Sequence, residues 1–177
     1  VGPNSHTIYT VPSGLHYFGR SYTIEPDFSA AAYFYAMSPL LGIRVCVDGT
    51  SFDSLQGDLE FIRTLEKMGC RASASDEGIV LDPPADGVFR GVDVDMSAFS
   101  DQAITLAAIA PYAQSPVTIR GIGHIRKQES DRLHGMVTEL RRMHLDADES
   151  EDSVTICPGT PSPAVISTYE DHRMAMG

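Results

Sequence analysis

The densest polar run in the chain is His124-Ile125-Arg126-Lys127-Gln128-Glu129-Ser130-Asp131-Arg132-Leu133. It lies between a strand-like stretch, Pro116–Ile122, and a helical pattern over Glu129–His144. Exposed backbone N–H groups and the helix dipole make such a junction attractive to anions, and basic side chains add to the effect. Glu129 and Arg132 are three residues apart, so a carboxylate and a guanidinium can share one side of the first turn. That combination suits acid–base work on a phosphorylated substrate. A second reading stays open on spacing alone: a solvated, ion-paired helix start capped by Ser130. Asp101 is another candidate, the one charged residue in the apolar pattern Phe99–Ala113, serving either as a helix cap or as a reactive acid. Asp101 and Asp27 both stand at helix starts in matching parts of the chain, and such starts converge on one face of a stacked repeat. A third cluster, Tyr169-Glu170-Asp171-His172-Arg173-Met174, also sits at a strand-to-helix junction. There His172 and Arg173 either bind an anion or lie on the surface.

The 177 residues carry a net charge of −11, with 42% hydrophobic and 21% charged residues. The apolar share fits a globular chain, and the length is enough to bury a core without a metal or disulfide staple. An acidic balance argues against nucleic-acid and membrane-surface partners, which call for a basic face. The charge is uneven, however. Residues 120–144 hold six basic side chains and three acids, a +3 island in an acidic chain. Cys46, Cys70 and Cys157 are odd in number without a CxxC pair, so they read as buried free thiols of a reducing, cytoplasmic protein. The chain holds no dinucleotide, Walker, nucleophile-elbow or zincin motif, and its histidines show no metal-ligand spacing. Asp93-Val94-Asp95 reads as strand alternation rather than a metal site. No cofactor or metal is expected. The start at Val1-Gly2-Pro3 and an end inside a helical pattern lead to the expectation that this is a piece of a longer polypeptide.

The elements that must position these residues recur in order. Residues 1–20 read as a linker or edge segment. Ser21–Pro26 is expected as a strand, with a helix from Asp27 or Ser29 to about Leu41 and a strand at Ile43–Asp48. A helix follows over about Gln56–Met68, with Leu59, Ile62, Leu65 and Met68 on one face. Strands Arg71–Ser75 and Gly78–Leu81 close the unit. The same series then runs as strand Gly91–Met96, helix Phe99–Ala113, strand Pro116–Ile122, helix Glu129–His144, and strands Leu145–Asp148 and Ser153–Cys157. Phe28-Ser29 and Phe99-Ser100 stand 71 residues apart, and Ile79/Leu81 stand 75 from Val154/Ile156. A third unit starts with a strand at Pro163–Thr168. The fold class is therefore α/β (α+β), two βαβαββ units (about 21–84 and 91–158) and a truncated third (163–177), which must stack to complete a core.

The motifs resemble those of a known family. Gln128-Glu129-Ser130-Asp131-Arg132-Leu133 is similar to the KE(S/T)DRL signature of the EPSP synthases, the enolpyruvyl transferases of the shikimate pathway. Tyr169-Glu170-Asp171-His172-Arg173-Met174-Ala175-Met176 resembles their Y-x-DHRMAM motif. The likeness extends from Tyr22 onward. It implies an inside-out α/β barrel architecture, with residues 21–177 forming part of a C-terminal domain. A missing N-terminal domain of the same, monomeric polypeptide would close over shikimate-3-phosphate and phosphoenolpyruvate, without metal or organic cofactor. By the same resemblance, Asp101 is the base at the shikimate hydroxyls and Glu129 moves a proton at the enolpyruvyl methylene. Arg132 and Arg173 bind phosphoenolpyruvate, or glyphosate in its place, and His172 lines that site. Gln128 replaces a lysine that contacts shikimate-3-phosphate in many members, and His124 replaces a frequent asparagine. The alternatives are a non-catalytic binding or assembly domain of the same fold, or relatives acting on UDP-N-acetylglucosamine or RNA phosphates. The presence of Asp101, Glu129, Arg132 and Arg173 together argues against a decayed domain.

Overall fold

A computed structural model describes residues 10–177, so the first nine residues of the expected linker lie outside the described residues. The first helix, α1 (Phe28–Leu41), starts where Asp27 accepts the Ser29 N–H at 2.8 Å. It ends at Gly42, whose φ of 65° is the left-handed cap conformation that glycine adopts without a Cβ penalty. Strand β1 (Val45–Asp48) follows. A 3₁₀ turn at Gly57–Leu59 leads into helix α2 (Glu60–Lys67), and then come β2 (Arg71–Ala74) and β3 (Gly78–Asp82). These strands form an antiparallel sheet in the order β1-β3-β2. Gly78 fits where β3 meets β1 because a Cβ there would lie 2.1 Å from the Val47 carbonyl oxygen.

The second sheet holds β4 (Asp93–Asp95), β5 (Val117–Arg120), β6 (Ala147–Glu149) and β7 (Ser153–Ile156) in the order β4-β5-β7-β6. Between β4 and β5 lies α3 (Ala103–Ile109), flanked by 3₁₀ turns at Ser100–Gln102 and Ala110–Tyr112. Between β5 and β6 a 3₁₀ turn at Gly123–Lys127 precedes α4 (Arg132–Arg142), and α5 (His172–Met176) ends the series. The two sheets share a register: Val47 opposes Ile79 in one, and Ile119 opposes Val154 in the other. Helix α1 packs on α3 and on the first sheet, and the buried apolar residues form one continuous core. Leu59, Ile62, Leu65 and Met68 are all buried, as are Leu133, Met136, Val137 and Leu140.

Several boundaries differ from expectation. The strand expected at Ser21–Pro26 does not form. In the second sheet, β4 docks through buried Val94 and an Asp93–Arg120 ion pair. The matching positions in the first unit are Thr23, Tyr22 and Asp48, which supply neither an apolar anchor nor an opposite charge. Residues 163–168 are likewise irregular, held by side chains rather than by a strand neighbour. The helix expected over Phe99–Ala113 keeps its α form only to Ile109, because Pro111 has no N–H to continue the ladder. Of the cysteines, Cys70 alone is buried, and burial, with the Glu66 charge added, pushes its thiol up to about 12. Cys46 is exposed because strand alternation turns it away from the core that Val45 and Val47 meet. No helix among the described residues is long and apolar enough to cross a membrane.

One buried polar clamp fixes α1 on the first sheet. Tyr35, fully buried, donates its hydroxyl to the Ile79 carbonyl at 2.9 Å and lies 2.9 Å from the Thr50 hydroxyl. Thr50 in turn donates to the Val47 carbonyl and accepts the Ile79 N–H. Tyr35→Phe removes one link and leaves the ring in place. It should cost about 1 kcal/mol, read as a lower urea midpoint with an unchanged slope. An unaltered midpoint would refute a stabilising role for the clamp.

Candidate active site

Three helix starts meet at one point: Ser29 at the start of α1, Asp101 in the 3₁₀ turn before α3, and His172 and Arg173 at the start of α5. The segment between the Gly123–Lys127 turn and α4 brings Gln128, Glu129, Ser130 and Arg132 to the same place. Asp131, rather than Ser130, caps α4. Its carboxylate accepts the His134 N–H at 2.9 Å, so Glu129 and Ser130 lie before the helix instead of in its first turn. Aspartate at this position answers both an orphan N–H and the positive end of the helix dipole.

Arg132 is the centre of the site and is 5% exposed. Its Nε and Nη2 donate to the two oxygens of Asp171 at 2.8 and 3.1 Å, and its Nη1 donates to Gln128 Oε1 at 2.6 Å. Asp101 bridges the two arginines, with Oδ1 3.4 Å from Arg132 Nη1 and Oδ2 3.3 Å from Arg173 Nη2. Arg173 also donates to the Ser29 hydroxyl at 3.2 Å. Ser29 is itself bonded to Asp58, which takes the Gln102 amide at 3.1 Å. Glu129 lies 2.8 Å from His172 Nδ1 and 3.8 Å from Arg132 Nη2. Thus Asp101, Gln128, Glu129, Arg132, His172 and Arg173 come together. His124 stands one step aside, with Nε2 2.8 Å from the hydroxyl of Ser100, the neighbour of Asp101.

The residue that sequence reasoning did not single out is Asp171, 2% exposed. Besides Arg132 it accepts the Ser130 hydroxyl at 2.9 Å and the Arg173 N–H at 2.9 Å, which caps α5. Burial pushes its carboxyl up, but the Arg132 hydrogen bonds, with Ser130 and the Arg173 N–H, outweigh this and bring it down to about 2. An acid immediately before a helical His-Arg pair was the available signal. Helix α5 rests on α4 at Gly135, where an added Cβ would lie 3.1 Å from Met174 Cε and 3.4 Å from the Tyr169 ring.

The basic island is mostly neutralised by folding. Arg120 faces Asp93, Arg126 faces Asp131 and Glu149, Arg141 faces Asp148, and Arg142 faces Glu139. These partners come largely from outside the basic stretch. Lys127 has no ion pair among the described residues, and Arg132 meets Arg173, which lies beyond the island, across Asp101 at the junction. Glu129, Asp171 and His172 each bring one donor atom within 4.8 Å of the others. The Arg132 guanidinium already occupies both Asp171 oxygens, and its charge beside Glu129 opposes a cation there.

The low Asp171 value has a stability consequence. Its ionised form is favoured in the folded chain, so the contribution is present above the ordinary value of 3.8 and is lost as pH falls through about 2. The difference corresponds to about 2 kcal/mol. Asp171→Asn should be markedly less stable than the parent at pH 7, with the gap narrowing between about pH 4 and 2 in denaturant titrations at each pH. A gap independent of pH would refute the charge-based account.

Comparison with known proteins adds a second line of support. The family model for EPSP synthase (3-phosphoshikimate 1-carboxyvinyltransferase) matches residues 2–177. A 3-phosphoshikimate 1-carboxyvinyltransferase of Nostoc punctiforme is 45% identical over 176 residues, covering 99% of this chain and 40% of the relative. The chloroplastic counterpart of Brassica napus is 40% identical, over 89% of this chain and 32% of its own length. The chain thus spans about 40% of the length of the first of these curated relatives. Among solved structures, EPSP synthase of Acinetobacter baumannii superposes with a TM-score of 0.68 at 23% identity, covering 86% of this chain and 38% of that one. The enolpyruvyl transferase NikO of Streptomyces tendae superposes with a TM-score of 0.55 at 20% identity, over 77% and 31%. At these identities the structures speak for the fold, an α/β fold of the enolpyruvyl transferase type, and the sequence matches speak for the family. The chain belongs to the EPSP synthase family.

Proposed function

We propose that this chain is part of a 3-phosphoshikimate 1-carboxyvinyltransferase, which moves the enolpyruvyl group of phosphoenolpyruvate to the 5-hydroxyl of shikimate-3-phosphate and releases phosphate. The observation that carries the reading is the convergence of Arg132 and Arg173 on Asp101, with Glu129 beside both Arg132 and His172. Two guanidiniums supply the charge-assisted hydrogen bonds that a ligand bearing a carboxylate and a phosphate demands. Two separate carboxyl groups suit a reaction that adds an alcohol across the double bond of an enol phosphate and then reverses the proton movements to leave an enol ether. Asp101 takes the 5-hydroxyl proton as the oxygen attacks C2, and Glu129 delivers a proton to the methylene carbon. The resulting tetrahedral intermediate then loses a methyl proton and expels phosphate, restoring the double bond. Arg132 and Arg173 hold phosphoenolpyruvate, and His172 lines its site. Gln128 and His124 are assigned to the shikimate-3-phosphate side. Gln128 brings no charge there, and its amide oxygen is committed to Arg132.

In this reading residues 21–177 are most of a C-terminal domain, built of units at about 21–84, 91–158 and 163–177. Support comes from the equivalent helix starts at Phe28, Ser100 and His172. The site is open, with Asp101 and Glu129 side chains 41% and 52% exposed. An N-terminal domain of the same monomeric polypeptide would close over it and exclude water, which strengthens every charge interaction inside. The free thiols of Cys46, Cys70 and Cys157 support a reducing compartment, the cytoplasm.

The test is a phosphate-release assay on the full-length polypeptide with both substrates. Asp101→Asn and Glu129→Gln should each lower kcat by about 10²- to 10⁴-fold, the range for loss of a positioned acid or base. Activity unchanged by either substitution would overturn these roles. The 177-residue chain alone should give no measurable turnover and only weak binding of phosphoenolpyruvate or glyphosate. Submicromolar affinity in an NMR titration would contradict the requirement for a second domain.

A further inference from the structure

The guanidinium of Arg132 can present two bidentate edges, Nε–Nη2 and Nη1–Nη2, and the structure commits one of them. Asp171 occupies the Nε–Nη2 edge with two hydrogen bonds from a carboxylate that is itself buried. The edge that remains, Nη1 and Nη2, donates to Gln128 Oε1 at 2.6 Å and faces Asp101 and Glu129, and so points into the junction. The same carboxylate caps α5 through the Arg173 N–H and takes the Ser130 hydroxyl from the segment that carries Glu129. One side chain thus ties together the two elements that bring the arginines.

The backbone leading into Asp171 is constrained as well. Tyr169 and Glu170 both have positive φ, 56° and 55°, a conformation that costs a residue with a Cβ about 1 kcal/mol or more. Such a turn persists when its surroundings over-determine it. Tyr169 donates its hydroxyl to buried Glu139 at 2.7 Å, and Asp171 closes the other end on Arg132. Met174 against Gly135 adds a packing contact one turn on.

We propose that Asp171 is a positioning residue for anion binding, a carboxylate that sets which edge of Arg132 meets the phosphoenolpyruvate-type ligand and registers Arg173 against it. The proposal rests on the transferase reading above. It assigns Asp171 no proton transfer and no contact with substrate. Its loss acts on the binding of one substrate through Arg132 and Arg173, rather than on the chemical step or on the other substrate.

Two variants of the full-length enzyme test this. Asp171→Asn retains a side-chain oxygen able to cap α5 but loses the charge that holds the guanidinium. Asp171→Glu retains the charge and displaces the carboxylate by one methylene. In each, KM for phosphoenolpyruvate should rise about tenfold or more, the scale of one lost charge-assisted hydrogen bond, while KM for shikimate-3-phosphate changes by less than about threefold. Inhibition by glyphosate should weaken in parallel. An unchanged KM for phosphoenolpyruvate in the folded Glu variant overturns the proposal. So does a fall in kcat with both KM values intact, which is the signature of fewer correctly folded molecules. Failure of both variants to fold would assign Asp171 to stability and overturn it too. An inactive wild-type enzyme would instead remove the transferase reading, and this inference with it.

Discussion

The bidentate ion pair between Arg132 and Asp171 is the interaction on which the site depends. Both side chains are withdrawn from water, at 5% and 2% exposure, so each charge requires the other. Removing one partner from such a pair is destabilising because the remaining buried charge loses its closest counter-charge. The pair also joins residues 39 positions apart. It fixes the start of α4 against the start of α5, and through them Glu129, His172 and Arg173.

Around that pair the fold converges on one face. Each repeat ends a loop at a helix start, and stacking the repeats brings those starts side by side. Where Asp101, Ser29 and Arg173 meet, the backbone N–H groups of Ser29 and Arg173 are capped by Asp27 and Asp171. The polar network continues inward to Asp58 and Gln102. A second network, outside the site, holds the loop that carries it. Arg126 donates to Glu149 and to the Ser150 carbonyl, and Asp152 accepts the Gly123 N–H at 2.6 Å. The basic residues of the 120–144 stretch thus divide their work. Most neutralise acids on neighbouring elements and secure the loop, while Arg132 is held for ligand.

Much of this was legible in the residues. Periodicity found Leu59, Ile62, Leu65 and Met68 on the inward side of the α2 segment but not buried Phe61, and the offset between Ile79 and Val154 anticipated the shared register. The two motifs named the family and marked Glu129, Arg132, His172 and Arg173, while Asp101 stood out as the one charged residue of an apolar helical pattern. Boundaries were less legible where a side chain had a choice of partner. Ser130 could have capped α4, but Asp131 does so and Ser130 turns to Asp171. Ser21–Pro26 has the composition of a strand, yet a strand also needs an inward apolar residue and a neighbour, and Thr23 does not supply the first. Asp171 could be read locally as an acid before a helical His-Arg pair, but its bond to Arg132, 39 residues away, is set only in space.

What the sequence by itself determined is therefore most of the element order, the inward apolar positions and the family, since these follow from local period and residue chemistry. Only the tertiary structure decided which charges are spent on one another and which remain for a ligand. A positive window in the sequence is a sum over neighbours along the chain. An anion site is a sum over neighbours in space, and in space four arginines of that window pair with acids away from the junction, while Arg132, held by Asp171, meets Arg173 from outside the window across Asp101.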